Sequence, residues 1–291
     1  MDVALATSRV LPEPDDDEAP TLAALRAAGL RTEALAWDDP EADFSAARMT
    51  VLRATWNYPD DPERFLAWVE RTAAVTELWN PLASIRWNLH KGYLLELEHA
   101  GVPVVPTCLV RRGEATALAE ILEARGWSDV VIKPAVSNAS RLTVRSGPEA
   151  METGEAHLRG LATRGDVLVQ PYMTSVEGYG ERSLVWIDGE ITHAVRKFPR
   201  LVRQHEAVTG PLPVSPAEAE VARAALAVAE AAGAPLLYAR IDLAPGPDGA
   251  PRVMELELIE PSLFFVFSPA ALDRFVRAVA RGVSESRRRP G

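Results

Sequence analysis

Two apolar stretches near the C-terminal end of the chain carry charged residues at every second position. YARIDL contains Arg240 and Asp242, and MELEL contains Glu255 and Glu257. Ionised side chains in an apolar strand cost free energy unless an opposite charge or a bound cation compensates them. Residues two apart on a strand point to the same face, and the Pro- and Gly-rich stretch 245–251 predicts a hairpin turn. The chain is therefore predicted to build a sheet in which one guanidinium and three carboxylates converge on one face.

Three carboxylates on a rigid sheet suit Mg²⁺, which prefers a few carboxylates together with phosphate oxygens and water. Two other interpretations stay open here: the charged face is the solvated side of an antiparallel sheet, or Arg240 simply pairs with one glutamate. Glu260 is out of phase with Glu255 and Glu257 and precedes Pro261, so the strand is expected to end there. Glu260 is a candidate for contact with a substrate or a second metal, and a surface glutamate at a turn is the alternative.

The first hundred residues alternate strand and helix. Residues 3–7, 32–37 and 49–54 are apolar strands, and residues 61–73 form an amphipathic helix that opens with Asp-Pro. This rhythm predicts a small open parallel sheet. Ligands of such sheets bind beyond the carboxyl ends of the strands, where RATWNY, residues 53–58, follows a strand directly.

The remaining two-thirds of the chain is predicted to be α+β, with antiparallel hairpins. ERSLVWIDGEITHAVRK alternates around Asp188-Gly189, a strong two-residue turn signal. Residues 215–233 form a helix that Ser215 caps, and residues 89–101 and 113–126 are also predicted to be helical, with residues 80–88 as a connector. The expected domains are an N-terminal α/β domain over 1–108, a small subdomain over 109–172 and a C-terminal subdomain over 173–291.

Charge and composition argue against several classes of function. The net charge is −10, and the basic cluster at 287–289 is predicted to be a solvated tail, so nucleic-acid binding is not expected. Cys108 is the only cysteine, which suits a reducing compartment. The N-terminus does not have the pattern of a signal peptide, and no segment approaches the roughly 18 apolar residues of a membrane span. We expect a soluble, cytoplasmic protein without membrane contact, and a homo-oligomer is compatible with the sequence.

Lysine is rare in this chain, and its positions are informative. Of 31 basic side chains only three are lysines, Lys91, Lys133 and Lys197. Lysine provides a compact point charge that the planar guanidinium of arginine does not. Lys133 ends an apolar strand and suits a phosphate, with a surface lysine as the alternative. In LVQPY, Gln170 and Pro171 interrupt a strand ladder, as an adenine-binding hinge requires, and an edge strand is the alternative.

Together these residues resemble the ATP-grasp superfamily of carboxylate–amine ligases. The similarity rests on an R-x-D strand, an E-x-E strand thirteen residues after the aspartate, a K-P pair, a hydrophobic hinge strand and a basic hairpin. It is greatest to the branch of glutathione-synthetase-like and ribosomal-protein-modifying ligases. RATWNY, RWNLHKGYLLEL, ERSLVWIDGEITHAVRK and MELELIEPSL also resemble a subgroup that includes the D-cycloserine-forming O-ureidoserine cyclo-ligase. The resemblance covers nearly the whole chain.

The resemblance implies an ATP-grasp fold, in which an N-terminal open α/β domain precedes two α+β subdomains that sandwich ATP. It also implies two Mg²⁺ ions, with Mn²⁺ as an alternative. The implied residues are Lys91 and Lys133 for the ATP phosphates; Gln170, Pro171, Tyr172 and Met173 for the adenine; Glu177 for the ribose; Asp242, Glu255 and Glu257 for Mg²⁺; and Arg240, Lys197 and Arg196 for the transferring phosphoryl group.

One loop departs from the family pattern. Many relatives have a glycine-rich loop after the K-P strand, whereas AVSNASRLTV contains no glycine between Lys133 and Gly147. Ser137, Asn138 and Ser140 provide hydroxyl and amide donors there instead. Which of these residues contact the phosphates stays open.

The implied activity is ATP-dependent phosphorylation of a carboxylate or acyl-like group of a small amino-acid-type substrate, followed by coupling to an amine. An intramolecular version is the O-ureidoserine to cycloserine cyclisation of antibiotic biosynthesis. An intermolecular amino-acid or peptide ligase and a non-catalytic ATP-binding protein are the alternatives. For Trp56 and Tyr58 the alternative to a substrate contact is packing under a loop. For His193 the alternative is a structural role. The candidate substrate residues are Arg53, Thr55, Trp56, Asn57, Tyr58, His193 and Glu260.

Overall fold

The strands of the protein form three separate sheets. The computed structural model describes residues 1–198 and 207–286, so the predicted basic tail at 287–289 lies outside the described residues. The sheets follow one another along the chain, with strands in residues 3–79, then 108–171, then 181–257. No helix in the described ranges is long and apolar enough to cross a bilayer.

The first sheet is parallel, as the sequence predicted. Its strand order is β2-β1-β3-β4. Asp61 accepts a hydrogen bond from the backbone N–H of Arg64, so the predicted Asp-Pro helix start is confirmed. The three-residue strand β4 was not predicted, because it is too short to show alternation. The elements are β1 (Val3–Thr7), α1 (Glu18–Ala27), β2 (Thr32–Ala36), β3 (Met49–Ala54), α2 (Pro62–Val75) and β4 (Glu77–Trp79).

Two short helices join the first sheet to the second, α3 (Leu82–Asn88) and α4 (Tyr93–His99). The predicted connector over 80–88 is therefore wrong for most of its length: Ile85 on α3 is fully buried in the core of the first domain. The predicted helix over 89–101 begins only at Tyr93. Lys91 lies in the break, where its backbone N–H donates to the Ala135 carbonyl at 2.8 Å.

The second sheet is antiparallel, with strand order β5-β8-β6-β7. Helices α5 and α6 pack on it around Leu118, Ile132 and Leu158. The helix predicted over 113–126 is shorter at its start, and Gly126 ends it with φ +66°. The elements are β5 (Cys108–Val110), α5 (Leu118–Arg125), β6 (Val130–Pro134), β7 (Val144–Ser146), α6 (Met151–Ala162) and β8 (Val167–Pro171).

The third sheet contains both predicted hairpins, and its strand order is β11-β10-β9-β12-β13. Asp188 and Gly189 both have positive φ, as a two-residue hairpin turn requires. Ser215 and Glu218 form a complete capping box at the start of α8. The elements are α7 (Ser175–Gly178), β9 (Glu181–Ile187), β10 (Glu190–Phe198), β11 (Ala207–Leu212), α8 (Pro216–Gly233), β12 (Tyr238–Pro245), β13 (Pro251–Glu257) and α9 (Pro269–Ser286).

Alternation along β12 determines what each face of the third sheet meets. Ala239 and Ile241 share a core cluster with Leu226 of α8, on one face. Tyr238 points to the other face, where it packs with Phe275 of α9 and residues of the first sheet. Helix α9 thus packs between the first sheet and the third sheet. Farther along β12, the residues on the face of Tyr238 are charged.

Candidate active site

A cavity lies between the second and third sheets, and residues that follow the first sheet line part of its wall. Trp56, which comes just beyond the carboxyl end of β3, is one of them. The location agrees with the expectation that ligands bind past the ends of parallel strands. The predicted site residues that line the cavity are Trp56, Lys91, Lys133, Gln170, Pro171, Tyr172, Met173, Lys197, Arg240, Asp242, Glu255, Glu257 and Glu260.

The β12–β13 hairpin brings together the four charged residues of its YARIDL and MELEL stretches, as predicted. Arg240 is opposite Glu257, and Asp242 is opposite Glu255. The Arg240 guanidinium holds Asp242 with two bonds, Nε–Oδ1 at 3.0 Å and Nη2–Oδ2 at 2.9 Å, and Nη2 also contacts Glu257. These groups face the cavity and not open solvent, so the alternative of a solvated sheet face is wrong.

All three lysines of the chain line the same cavity, although they come from three different segments. Lys197 of β10 approaches Asp242, with Nζ–Oδ2 at 2.7 Å, and Lys91 approaches Glu255, with Nζ–Oε1 at 2.8 Å. Lys91 also donates to the Ser137 carbonyl, in the glycine-free loop. Among the described residues, Lys133 has no ion-pair or hydrogen-bond partner.

Burial and neighbouring charge shift the pKa values of these groups in opposite directions. Burial opposes ionisation of Asp242, but Arg240 and Lys197 outweigh it and hold the pKa of Asp242 below its usual range. Burial raises the pKa of Glu257 to about 8, and the negative charges of Glu255 and Asp242 add to the effect. For Lys133, burial is the largest cause and lowers the pKa. Burial therefore outweighs the opposite charges near Glu257 and Lys133, and it disfavours the ionised form of both side chains.

The donor chemistry of Asp242, Glu255 and Glu257 fits Mg²⁺. They provide hard carboxylate oxygens from paired positions of one hairpin, and a cation would relieve the repulsion that raises the pKa of Glu257. Among residues 1–198 and 207–286, however, no group of three or more acidic, histidine or cysteine side chains is already arranged as a metal site. Each of the three carboxylates instead contacts a lysine or arginine. Metal binding at these positions requires those ion pairs to rearrange, and it stays a prediction.

The opposite part of the cavity is formed where β8 ends. Gln170 is buried and donates to Thr107 Oγ1 at 2.9 Å, and Pro171 is the last residue of β8. The Tyr172 backbone N–H donates to the Asp129 carbonyl at 2.8 Å. Apolar residues from both sheets, including Val105, Val131 and Met254, complete this end. A flat aromatic ring with polar edges fits such a slot.

Two residues assigned to the nucleotide do not line the cavity. Glu177 is exposed and forms an ion pair with Arg145 at 2.8 Å. Arg196 precedes Lys197 on β10, so its side chain points to the opposite face of the sheet, over the Tyr179 ring at 4.9 Å. Sequence reasoning missed Arg145, which lies over the Tyr172 ring at 3.6 Å at this end of the cavity.

Several predicted substrate residues also lie outside the cavity wall. The Asn57 side chain is engaged by Ser8, Trp37 and Asp38, at 2.6 to 2.8 Å. Tyr58 is buried and stacks on Phe65, as the packing alternative expected. Tyr58 thus belongs to the core beside the first sheet, and the half-buried Asn57 side chain is bound to neighbouring residues of the same region.

Arg53, Thr55 and His193 are buried behind the wall of the cavity. Arg53 Nη2 donates to the Pro261 carbonyl at 3.1 Å. Each of the three has one buried polar atom without a hydrogen-bond partner among the described residues: Arg53 Nη1, Thr55 Oγ1 and His193 Nε2. Burial lowers the pKa of His193, so its imidazole is neutral near pH 7.

Sequence reasoning missed Asp17 altogether. Its carboxylate accepts hydrogen bonds from three consecutive backbone N–H groups, those of residues 263–265, at 2.6 to 3.1 Å. Phe264, the middle residue, has φ +52°, a conformation that costs free energy for a bulky side chain. Its ring lines the cavity and lies 5.7 Å from the Arg240 guanidinium. The last of three consecutive aspartates in an acidic loop gives no signal of such a contact.

Comparison with known proteins connects this geometry to a family. A family model described as "D-cycloserine synthetase DcsG, N-terminal domain" matches residues 3–80. The cycloserine biosynthesis protein DcsG of Streptomyces lavendulae is 35% identical over 291 residues, which covers 96% of this chain and 97% of that protein. The chain belongs to the DcsG family.

Solved structures agree with this assignment. The crystal structure of D-cycloserine synthetase DcsG matches with a TM-score of 0.89 and 35% identity, and the match covers 97% of this chain and 100% of that one. The ATP-grasp ligase PsnB, solved with a phosphomimetic precursor variant, Mg and ADP, matches with a TM-score of 0.65 and 17% identity over 97% and 98% of the two chains. The DcsG-family chain therefore has the predicted ATP-grasp fold and is an ATP-dependent ligase.

Proposed function

We propose that this ligase uses ATP to phosphorylate the carboxylate of a small amino-acid-type substrate and then closes a ring within the same molecule. The proposed reaction is of the O-ureidoserine to cycloserine type, because the chain resembles DcsG over nearly its whole length. One observation carries the phosphorylation step: the three lysines of the chain meet the paired carboxylates of the β12–β13 hairpin in one cavity.

The cationic side chains neutralise the phosphates of ATP. No described residue forms an ion pair or hydrogen bond with Lys133, and a phosphate would provide a direct partner. Lys91 and Lys197 are held at their Nζ atoms by Glu255 and Asp242, which fixes their positions before the nucleotide binds. Arg240 is fixed by Asp242 and faces the γ-phosphoryl group. Phosphoryl transfer needs positioning and charge neutralisation and no protein nucleophile.

Asp242, Glu255 and Glu257 are proposed to hold Mg²⁺, which when bound neutralises charge on the phosphate oxygens. Two ions, with Mn²⁺ as an alternative, are part of the proposal. The chain's own contribution is a set of carboxylates kept ionised or poised by neighbouring cations: Lys91 and Lys133 oppose the effect of burial and lower the pKa of Glu255.

One end of the cavity is proposed to bind the adenine, and the other end is proposed to enclose the reacting groups. Gln170, Pro171, Tyr172 and Met173 are proposed to contact the adenine, because the strand ends there and apolar residues flank it. Trp56 and the loop residues Ser137 and Asn138 cover the other end, where they would exclude water from a reactive acyl phosphate. Arg53, Thr55 and His193 lie behind this end and are proposed to support it. We also propose domains over 1–108, 109–172 and 173–291, and a cytoplasmic location, where ATP is available.

The experiment that tests the proposal is ADP release with O-ureidoserine as the only added substrate, with the product identified by mass spectrometry. We expect ADP and a cyclised product without any added amine. In ring closure a nitrogen of the substrate itself attacks the acyl phosphate and displaces inorganic phosphate, and water removes the carbamoyl group that cycloserine lacks. No second amine is needed, so the rate should not rise when amino acids are added as acceptors. ADP release that depends on a separate amine would instead support an intermolecular ligase and contradict the cyclisation.

A further inference from the structure

Glu260 is a buried cavity carboxylate that forms no ion pair with any lysine or arginine among the described residues. The other buried or half-buried carboxylates of the cavity each form an ion pair with a lysine or arginine. Glu260 is 7% exposed, and within the described ranges its side chain has no ion pair. Its one hydrogen bond comes from the neutral amide of Asn138, with Nδ2–Oε1 at 3.3 Å. The paired carboxylates are Glu181, Asp242, Glu255 and Glu257.

The backbone around Glu260 is fixed by side chains from both the first and third sheets. The carbonyls of residues 260, 261 and 262 accept hydrogen bonds from Trp56 Nε1 at 3.0 Å, Arg53 Nη2 at 3.1 Å and Arg240 Nη1 at 3.5 Å. Three successive carbonyls are thus held by three different side chains. The direction of the Glu260 side chain is therefore determined before a ligand binds, as a preorganised binding group requires.

The charges around Glu260 match those of a zwitterion. Burial raises the pKa of Glu260 to about 7, although the Asn138 hydrogen bond and the charges of Lys91 and Arg240 oppose it. Among the described residues neither cation forms an ion pair with this carboxylate, so an ammonium group in contact with it would provide a direct partner. An α-amino acid carries an ammonium beside the carboxylate that is to be phosphorylated, so the two groups would face Glu260 and Arg240 respectively.

We propose that Glu260 binds the α-ammonium group of the amino-acid substrate and so makes the enzyme select zwitterionic α-amino acids. The inference rests on the proposed function, since it places the substrate carboxylate near Arg240. Its consequence is specificity: an analogue in which hydrogen replaces the α-amino group would leave Glu260 buried without a partner.

The test compares O-ureidoserine with its des-amino analogue in the wild type and in Glu260→Gln. Affinity is measured by calorimetry with a non-hydrolysable ATP analogue present, and KM is measured by ADP release. We expect Glu260→Gln to weaken binding of O-ureidoserine by about 10- to 100-fold, because a charge-assisted hydrogen bond is lost. Binding of the des-amino analogue and of the ATP analogue should stay within about threefold of the wild type.

Three control variants separate charge recognition from structural effects. Glu149→Gln removes an exposed carboxylate that does not line the cavity, and it should change the affinity for neither O-ureidoserine nor its des-amino analogue. Asn138→Ala removes the hydrogen bond to Glu260 and leaves the Glu260 carboxylate in place. Any loss of affinity should therefore be equal for O-ureidoserine and its des-amino analogue. Glu13→Gln alters another cavity carboxylate. The inference is overturned if Glu260→Gln binds O-ureidoserine as tightly as the wild type, or if its affinity falls equally for O-ureidoserine and the des-amino analogue. It is also overturned if only Glu13→Gln abolishes the preference for O-ureidoserine over the des-amino analogue.

Failure of the proposed function gives a different result. In that case the wild type releases no ADP with O-ureidoserine. The role of Glu260 is then decided by the affinities of alanine and propanoate in the wild type and Glu260→Gln: preference for alanine in the wild type alone supports ammonium binding, and any other pattern overturns it.

Discussion

At the scale of single residues, the three lysines differ in what they do before ATP binds. Lys91 and Lys197 are each held by a carboxylate, whereas Lys133 is half-buried without a partner among the described residues. The first two contribute to the stability of the fold, because breaking a buried ion pair leaves an uncompensated charge. In the proposed function, Lys133 contributes binding energy only when an anion binds beside it. Rarity of lysine pointed to all three positions, but the sequence could not reveal this difference.

The difference leads to a prediction for Lys133→Met and Lys197→Met. Lys133→Met should weaken ATP binding by roughly 10- to 100-fold, while the free energy of unfolding changes by less than about 1 kcal/mol, since no ion pair is lost. Lys197→Met should lower the free energy of unfolding by about 3 kcal/mol. Urea unfolding without ATP and calorimetric ATP titration provide the two readouts. Equal destabilisation by both substitutions, with ATP affinity unchanged in Lys133→Met, would contradict this account.

At the scale of elements, the segment of residues 260–265 connects the first domain to the cavity. Asp17 accepts hydrogen bonds from the backbone of residues 263–265, and Trp56 and Arg53 donate to the carbonyls of residues 260 and 261. These contacts keep Phe264 in a left-handed conformation beside Arg240. The acidic N-terminal loop therefore shapes a site more than 200 residues away along the chain.

Asp17→Ala should lower the free energy of unfolding by about 3 kcal/mol, because it leaves buried N–H groups without an acceptor. Asp17→Asn retains one oxygen acceptor and should lower the free energy of unfolding by about half as much as Asp17→Ala. Asp16→Asn, at an exposed neighbour, is the matched control and should change stability by less than about 0.5 kcal/mol. Urea unfolding of the three variants gives the comparison. Near-identical curves for Asp17→Ala and Asp16→Asn would show that this contact does not hold the segment.

Local, periodic features such as strands and hairpins could be predicted from the sequence, whereas most side-chain contacts between distant segments could not. The β9–β10 and β12–β13 hairpins follow from alternation and turn residues, and the pairing of Asp242 with Glu255 follows from their register. Asn57, by contrast, follows a strand as a ligand-binding residue would. Its side chain is nevertheless engaged by Ser8 and Trp37, contacts that no spacing rule predicts. Arg196 next to Lys197 could have been excluded, because adjacent strand residues face opposite sides.

At the scale of the whole molecule, one cavity depends on all three sheets. The second sheet contributes Lys133 and Gln170, the third contributes Lys197 and the charged hairpin, and the segment after the first contributes Trp56. Helix α9 packs between the first sheet and the third sheet through Phe275 and its neighbours. The central claim is that this shared cavity performs ATP-dependent phosphorylation, with the carboxylates of the hairpin essential to it.

The most direct measurement is substrate-dependent ADP release by the wild type and by Glu255→Gln, which keeps the shape of the side chain but removes its charge. Circular dichroism at the assay temperature confirms that both proteins are folded. The account predicts ADP release by the wild type with O-ureidoserine and a loss of at least roughly 100-fold in the variant. Turnover of Glu255→Gln within a few-fold of the wild type would contradict it, because the phosphoryl chemistry would then not depend on the carboxylates of this hairpin.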